Sequence, residues 1–507
     1  MTRFSLADDA WVRRLFFTLA LLYVLPFWTV HYLPTVDGPC HTYNAWILRQ
    51  YGNVEQYPLF QKYYEINAKP YPNWIGGGTM ALLMFAVPPL VAEKLLVSGY
   101  VLLFLAGAWY LAGAVKASGR WHAFLAFPFA YHQMFQFGFY NFSISLALFL
   151  LILGFWWRRR EKIDLSYVLG INLLLWLCYF SHILSFMLAL LAIAVLWLAM
   201  LRPGNWRRQL LHIPALAPQA FLPLWFFAAQ GGQAVASNWP WRDMVGYLAG
   251  LRALFIFDQA QHWFALALAG VFLAFCLRTL WRERPVPREG DAFLLLAVVF
   301  AALYFVSPEG MSGGTMLKIR LSLYPYLLLI PWFSLRLGAR ARATAIAVLT
   351  VAALLNVGYL VHWYRILSGE METYLAGLDP VRPDTRLLPL LFRHNTPAVN
   401  VNVLGHAASY AALEKGLVDW DNYEAASLLF PTRFRDSAPP PFTWEIEARP
   451  GFLRPRVWKR RADYVYAWRM RPDHPLAGRL DRFYDLVSVK NGGDLWERRH
   501  GEERAPR

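Results

Sequence analysis

The side chains best suited to chemistry lie in one short polar stretch, residues 34–45. Pro39 suits the first turn of a helix, which predicts a helix that begins near Asp37. On that helix Asp37, His41 and Asn44 follow an i, i+4, i+7 spacing and share one face. A carboxylate beside an imidazole can exchange a proton with a substrate or hold a divalent ion. The structural alternative is that Asp37 only caps the helix, and the spacing alone favours this alternative.

Two cations beside a later apolar segment form the second candidate. Lys318 and Arg320 come at the start of the apolar run 321–336. Cationic side chains at a membrane surface are good ligands for anions, and a lipid phosphate is the obvious anion there. The alternative is that the long side chain of Arg320 extends toward water. The sequence favours neither.

Two connecting segments combine aromatic and polar residues. The loop 230–261 contains Trp241 and Arg242, a pairing that suits contact with a sugar or a lipid headgroup. The turn 135–142 is rich in phenylalanine and contains Asn141. Aromatic residues at the ends of membrane helices also form an ordinary interfacial belt, which is the commoner reason for them.

Several other polar residues are interpreted as surface features. Glu309, His406 and the run 419–422 show no spacing typical of a metal site. The three cysteines form neither a metal-binding nor a disulfide pattern. The sequence has no Walker loop, dinucleotide-binding glycine motif, nucleophile elbow or zinc-protease helix. Nucleotide-driven chemistry is therefore not predicted.

The amino-acid composition indicates whether the protein that positions these residues is surrounded by water or by lipid. Hydrophobic residues make up 57% of the 507 residues and charged residues only 16%, with a mean hydropathy of +0.31. Because soluble domains carry about 25% charged residues, this chain needs lipid around much of its surface. The net charge is +16, but the basic residues cluster in short connectors between apolar segments, the pattern that orients membrane proteins. That distribution argues against a nucleic-acid partner.

The apolar segments predict a polytopic helical membrane bundle. Spanning the hydrocarbon takes about 20 residues, and roughly eleven segments are predicted to do so: 14–33, 93–115, 121–137, 139–157, 166–181, 183–200, 211–229, 262–281, 291–307, 321–336 and 341–363. The basic connectors 158–162, 202–208, 282–288 and 336–342 are assigned to the cytoplasm. The first segment is interpreted as an uncleaved helix.

The loops and the C-terminal tail are assigned to the opposite side. The first outward loop is predicted at 34–92, where the glycine- and proline-containing stretch 73–91 reads as a re-entrant or interfacial element. Residues 1–363 are predicted to form the transmembrane module and residues 364–507 a small extracytoplasmic α/β domain. Strands are expected in that domain at 387–392, 463–468, 484–489 and 495–496, with a helix at 407–415 that stops at Gly416.

This layout resembles that of the GT-C membrane glycosyltransferases, which use polyprenyl-phosphate sugars. The resemblance rests on the N-terminal helix, the outward loop opening on Asp37, the bundle punctuated by basic connectors and the outward C-terminal domain. The protein mannosyltransferases and the aminoarabinose transferases of lipid A belong to this class. The resemblance implies an inverting transfer from a polyprenyl-phosphate donor to a cell-envelope acceptor, at the outer face of the inner (plasma) membrane.

The resemblance also implies roles for particular residues. Asp37 would be the general base, Lys318 and Arg320 would bind the donor phosphate, and His41 would orient Asp37 or contact substrate. The remaining candidates for substrate binding are Asn44, Arg242 and Asn141. Better-known members often carry a paired acidic motif in the first loop and a further carboxylate in the second, whereas this chain has Asp37 before a glycine and amides near 136–141. No cofactor is implied with certainty, and a divalent cation stays an alternative.

Two other functions compete with this interpretation. A transporter or flippase of lipid-linked sugars would need polar groups at mid-bilayer depth and usually repeated halves. The sequence shows few such groups and no repeat between its halves. A non-catalytic membrane scaffold predicts that Asp37 and Arg320 can be replaced without effect.

Overall fold

The computed structural model describes residues 9–282, 288–335, 337–393, 396–440, 446–447, 449–455 and 459–499. The predicted basic connectors 282–288 and 336–342 therefore fall partly outside the described residues. The chain divides into two compact units. The first unit combines Met1–Trp28 with Val97–His362, and the second combines Thr29–Leu96 with Trp363–Arg507. The domain limits predicted from the sequence stay a prediction.

The chain is a multi-pass membrane protein built mainly from apolar helices. In lipid, a helix satisfies its backbone hydrogen bonds internally, which is why long apolar segments adopt this form. Among the described residues, eight helices are long and apolar enough to cross a membrane: Ala10–Trp28, Pro89–Val115, Tyr140–Arg159, Ile183–Met200, Trp206–Gln230, Gln259–Trp281, Glu289–Val306 and Ala339–Leu378. The predicted number of about eleven stays a prediction.

Other predicted apolar segments are helical but shorter or subdivided. They form a 3-10 helix at Ala117–Tyr131 and α-helices at Gln133–Gln136, Leu165–Ser181, Leu317–Leu321 and Leu323–Trp332. The predicted loop 230–261 contains the helix Trp241–Ala249 and the short strand Ala234–Val235. This strand pairs antiparallel with Gly310–Met311, so the two loops that contain them are joined within the first unit.

The second unit is built around a five-stranded sheet, as the predicted α/β character requires. Its strands lie in the order Val418–Asp419, Arg386–Leu391, Tyr464–Trp468, Gly493–Arg498 and Tyr484–Lys490. The first three run parallel, and the last two form an antiparallel hairpin at one edge. The central strands read as continuous apolar runs because both of their faces are buried. The strands and the helix predicted in this region are confirmed.

Among the described residues, the second unit also contains short helices and a smaller, two-stranded sheet. The helices are Gly38–Gln50, Pro58–Tyr63, Trp74–Leu83, Ala408–Lys415, Tyr423–Ala426 and Pro475–Leu480. Strand Tyr64–Ile66 pairs antiparallel with Thr432–Phe434, which ties the first loop to the C-terminal part of the chain. Helix Trp74–Leu83 has ten residues, a length of about 15 Å that is half the thickness of the hydrocarbon. That helix by itself is too short to cross the membrane.

Candidate active site

Helix Gly38–Gln50 positions the three residues that the sequence predicts on one face. Pro39 lies in its first turn, and Asp37 is the residue immediately before it. The Asp37 carboxylate makes no capping hydrogen bond to the described backbone amides of this helix. Instead, Oδ2 accepts a hydrogen bond of 2.8 Å from the Tyr423 hydroxyl, and Oδ1 lies 3.6 Å from Nε2 of His406. Asp37 is therefore held by the C-terminal part of the unit and is not a side-chain cap.

His41 and Asn44 continue this face of the helix. Nδ1 of His41 forms an ion pair with Oε1 of Glu424. The Asn44 amide donates to Oδ1 of Asn422 at 2.8 Å and to Oε2 of Glu424 at 2.9 Å, and Asn422 donates back to Oδ1 of Asn44 at 3.0 Å. All three residues of the face thus contact the segment 422–424. The shared face predicted from their spacing is confirmed.

The segment that meets this face is buried. His406 is 6% exposed, Asp419 1%, Asp421 4% and Asn422 0%. Asp419 accepts hydrogen bonds from the Ser409 hydroxyl at 2.6 Å and from the backbone N–H of Asp421 at 2.9 Å. The interpretation of these residues as surface features was wrong. Polar groups become stable in the interior once they are hydrogen-bonded, and some of these partners lie 378 residues away in the sequence.

The burial of several ionisable groups changes their proton affinities. Burial raises the pKa of Asp37, while the charges of His406 and His41 and the hydrogen bond from Tyr423 oppose that rise. Burial lowers the pKa of His406, but the hydrogen bond and charge of Asp421 and the charge of Asp37 outweigh it and raise this pKa to about 10. Burial also raises the pKa of Asp421. Such displaced proton affinities in one cluster are typical of functional sites.

The site includes two residues that the sequence did not predict, and a neighbouring cluster of three side chains contains potential metal ligands. Tyr423 and Glu424 directly follow the acidic run 419–422, and the density of polar side chains in that run was the only local signal for them. Among the described residues, His406, Asp421 and Glu447 each place one potential ligand atom within 4.8 Å of the others.

Comparison with known proteins identifies the fold. No family model matches the chain, and no curated protein matches it. The crystal structure of ArnT from Cupriavidus metallidurans bound to undecaprenyl phosphate is similar, with a TM-score of 0.52 and 11% sequence identity over 96% of this chain and 98% of that chain. The chain has the GT-C fold. The resemblance predicted from the sequence is thereby confirmed at the level of fold.

Arg320, in the first unit of this GT-C fold, is buried against aromatic rings. It lies in helix Leu317–Leu321 and is 6% exposed. Its Nη1 is 2.5 Å from Nε2 of His182, and its guanidinium carbon lies 4.6 Å from the ring centre of Phe139 and 5.4 Å from that of Phe142. The side chain therefore does not extend into water. A guanidinium packed on rings keeps a fixed orientation, which suits directional binding of an anion.

Lys318, the second predicted phosphate ligand, contacts the protein backbone. It is 1% exposed, and its ammonium group donates to the carbonyls of Tyr304 and Phe305 at 3.1 and 3.2 Å. These carbonyls lie in the last turn of helix Ala292–Val306, where a cation stabilises the negative end of the helix dipole. Glu309, which was expected to be solvated, is half-buried.

The remaining candidates in the GT-C fold differ in exposure. Arg242 is exposed at the start of helix Trp241–Ala249. Asn141 is 5% exposed and lies in the first turn of helix Tyr140–Arg159. Their contacts with substrate stay a prediction.

Proposed function

We propose that this chain is an inverting membrane glycosyltransferase, with Asp37 as its general base. It moves a sugar from a polyprenyl-phosphate donor to an acceptor hydroxyl on the extracytoplasmic face of the plasma membrane. The observation that carries this proposal is the Asp37 carboxylate, which is buried, is not used as a helix cap and is oriented by Tyr423. Stabilising the helix end would not require such an arrangement.

The proposed reaction is a single displacement. The acceptor oxygen attacks C1 of the sugar while the bond from C1 to the phosphate oxygen breaks, and the polyprenyl phosphate leaves with the bonding electron pair. Asp37 accepts the proton of the acceptor hydroxyl, and attack opposite the leaving group inverts C1. Burial raises the pKa of Asp37, which makes its carboxylate a stronger base. His41 and Asn44, through Glu424 and Asn422, hold the helix that carries it.

Arg320 is the proposed ligand of the donor phosphate. A guanidinium offers planar, paired donors to phosphate oxygens and stabilises the charge that develops on the leaving group. Its packing against Phe139 and Phe142 supports this assignment. Undecaprenyl phosphate is the ligand of the structurally similar ArnT, which makes polyprenyl phosphates the first class of carrier to test.

Transfer of radiolabelled sugar from a panel of polyprenyl-phosphate sugars, in membranes containing the chain, tests the proposal. Asp37→Asn removes the base but keeps an oxygen that can accept the Tyr423 hydrogen bond. We expect wild type to label a cell-envelope acceptor and Asp37→Asn to lose about 10²–10⁴-fold in rate, the usual contribution of a general base. Asp436→Asn is the matched control, because the side chain of Asp436 is 89% exposed.

The other outcomes assign different functions. Equal transfer by wild type and Asp37→Asn would remove Asp37 from the mechanism. If both proteins fold and neither transfers any sugar of the panel, the transporter or scaffold interpretation replaces the transferase.

A further inference from the structure

Three side chains of the second unit converge beside the Asp37 site. His406 precedes helix Ala408–Lys415, Asp421 follows the strand Val418–Asp419, and Glu447 lies in the described pair 446–447. Their potential ligand atoms all lie within 4.8 Å of one another. Nδ1 of His406 is 3.4 Å from Oδ2 of Asp421. Two ligands on one tetrahedral ion, each about 2.0–2.1 Å from the metal, would be separated by about 3.3 Å.

A buried polar atom in this group indicates that the three side chains bind a ligand. Oδ1 of Asp421 is buried and has no hydrogen-bond partner among the described residues, whereas Nδ1 of His406, also buried, forms an ion pair with Oδ2 of Asp421. His406 and Asp421 are only 6% and 4% exposed. A buried polar atom without a partner is costly, so native proteins nearly always supply one from the chain, from water or from an ion. One cation bound by these side chains would supply the Asp421 carboxylate with a further polar contact.

We propose that His406, Asp421 and Glu447 bind a divalent transition-metal ion, with zinc as the expected occupant. An imidazole nitrogen with carboxylate oxygens is a ligand set that suits zinc or manganese better than calcium or magnesium, which prefer oxygen alone. Two carboxylates and a neutral imidazole carry a charge of −2, which a divalent ion balances. Three protein ligands also leave a coordination position open for water or a hydroxyl group.

The geometry connects this ion to Asp37. With the ion on Nδ1 of His406, the ring proton is on Nε2, which lies 3.6 Å from Oδ1 of Asp37. A metal-bound histidine commonly directs its other N–H toward a carboxylate, and this fixes the orientation of both groups. The ion would therefore position Asp37, a consequence that rests on the proposed function. The metal site itself rests only on the geometry of the three ligands.

Metal content of the purified full-length protein in detergent tests the proposal. The protein is stripped with a chelator, dialysed against Zn²⁺ or Mn²⁺ and analysed by mass spectrometry for bound metal. We expect about one ion per chain in wild type, as three protein ligands define one site, and a loss of at least tenfold in affinity in His406→Gln and Asp421→Asn. The matched control is His474→Asn, because Asn preserves the cap that His474 provides to the N–H of Leu476.

Two further readouts keep the result clear if a buried variant folds poorly. Zn²⁺ should raise the unfolding midpoint of stripped wild type but not that of the milder variant Glu447→Gln. The X-ray absorption spectrum of the zinc protein should show nitrogen and oxygen ligands with one imidazole. A wild type without stoichiometric metal, a Glu447→Gln midpoint shift equal to wild type, or sulfur ligands would overturn the proposal. None of these measurements depends on sugar transfer, so failure of the proposed function is recorded separately.

Discussion

The hydrogen bonds between helix Gly38–Gln50 and the segment 422–424 allow the stability of their contact to be predicted quantitatively. Asn44→Leu keeps the approximate size of the side chain and removes three hydrogen bonds with Asn422 and Glu424. Net hydrogen bonds contribute about 0.5–1.5 kcal/mol each, or about 1.5–3 kcal/mol where a charged group takes part. With part of this loss recovered by burial of the leucine, we expect the contact to weaken by about 3 kcal/mol.

Cys40 provides a direct assay for this loss. Its thiol is fully buried on the same helix and donates a hydrogen bond of 3.2 Å to Oδ1 of Asn422. Burial also raises its pKa, so a maleimide should react only when the contact opens locally. With Cys178 and Cys276 replaced by alanine, Cys40 is the only thiol of the chain. A loss of 3 kcal/mol corresponds to labelling that is about 100-fold faster.

Two variants control this experiment. Asn53→Leu removes an exposed amide that donates to two glutamine side chains at the surface, so labelling should change less than about twofold, as is usual for surface substitutions. Asn422→Leu should accelerate labelling as Asn44→Leu does, and the double variant should show less than the sum of the two effects because the hydrogen bonds are shared. If Asn44→Leu labels at the wild-type rate, or if the effects simply add, these amides do not hold the helix against the segment.

Three other predictions concern separate parts of the chain. Arg320→Lys should raise the KM for the polyprenyl-phosphate donor about tenfold, because lysine lacks the planar fork that binds phosphate; an unchanged KM would remove Arg320 from donor binding. Burial raises the pKa of Asp463, but the hydrogen bonds and charge of Arg386 outweigh it and lower this pKa. Its stabilisation is therefore present above the unfolded pKa of about 3.9 and lost as pH falls through the folded value, so below pH 4 the unfolding midpoint should drop more steeply in wild type than in Asp463→Asn. Gly416 ends helix Ala408–Lys415 with φ at +66°, so Gly416→Ala should cost about 1 kcal/mol and lower the midpoint by about 2–4 °C; an unchanged midpoint would contradict the strain argument.

The sequence alone was sufficient to predict that the protein lies in a membrane and where most of its helices and strands occur. Many segments of about 20 residues with few charges and apolar residues on every side are typical of helices in lipid, so composition and segment length were sufficient to predict the bundle. Local spacing was also sufficient to place Asp37, His41 and Asn44 on one face, because the helical repeat depends on neighbouring residues alone. The apolar strands and Gly416 were predictable for the same reason.

Only the tertiary structure decided what that face contacts. The sequence indicated Asn422, a partner of Asn44, as a surface residue and did not single out Tyr423 and Glu424, the partners of Asp37 and His41. The residues of these pairs lie more than 360 positions apart. Whether an acidic residue is solvated or buried depends on partners brought by the whole fold, and no local pattern records them. The same holds for Arg320, whose aromatic neighbours and His182 come from earlier parts of the chain. The periodicity of a chain reports its local geometry, whereas the chemistry of a buried site depends on groups that only folding brings together.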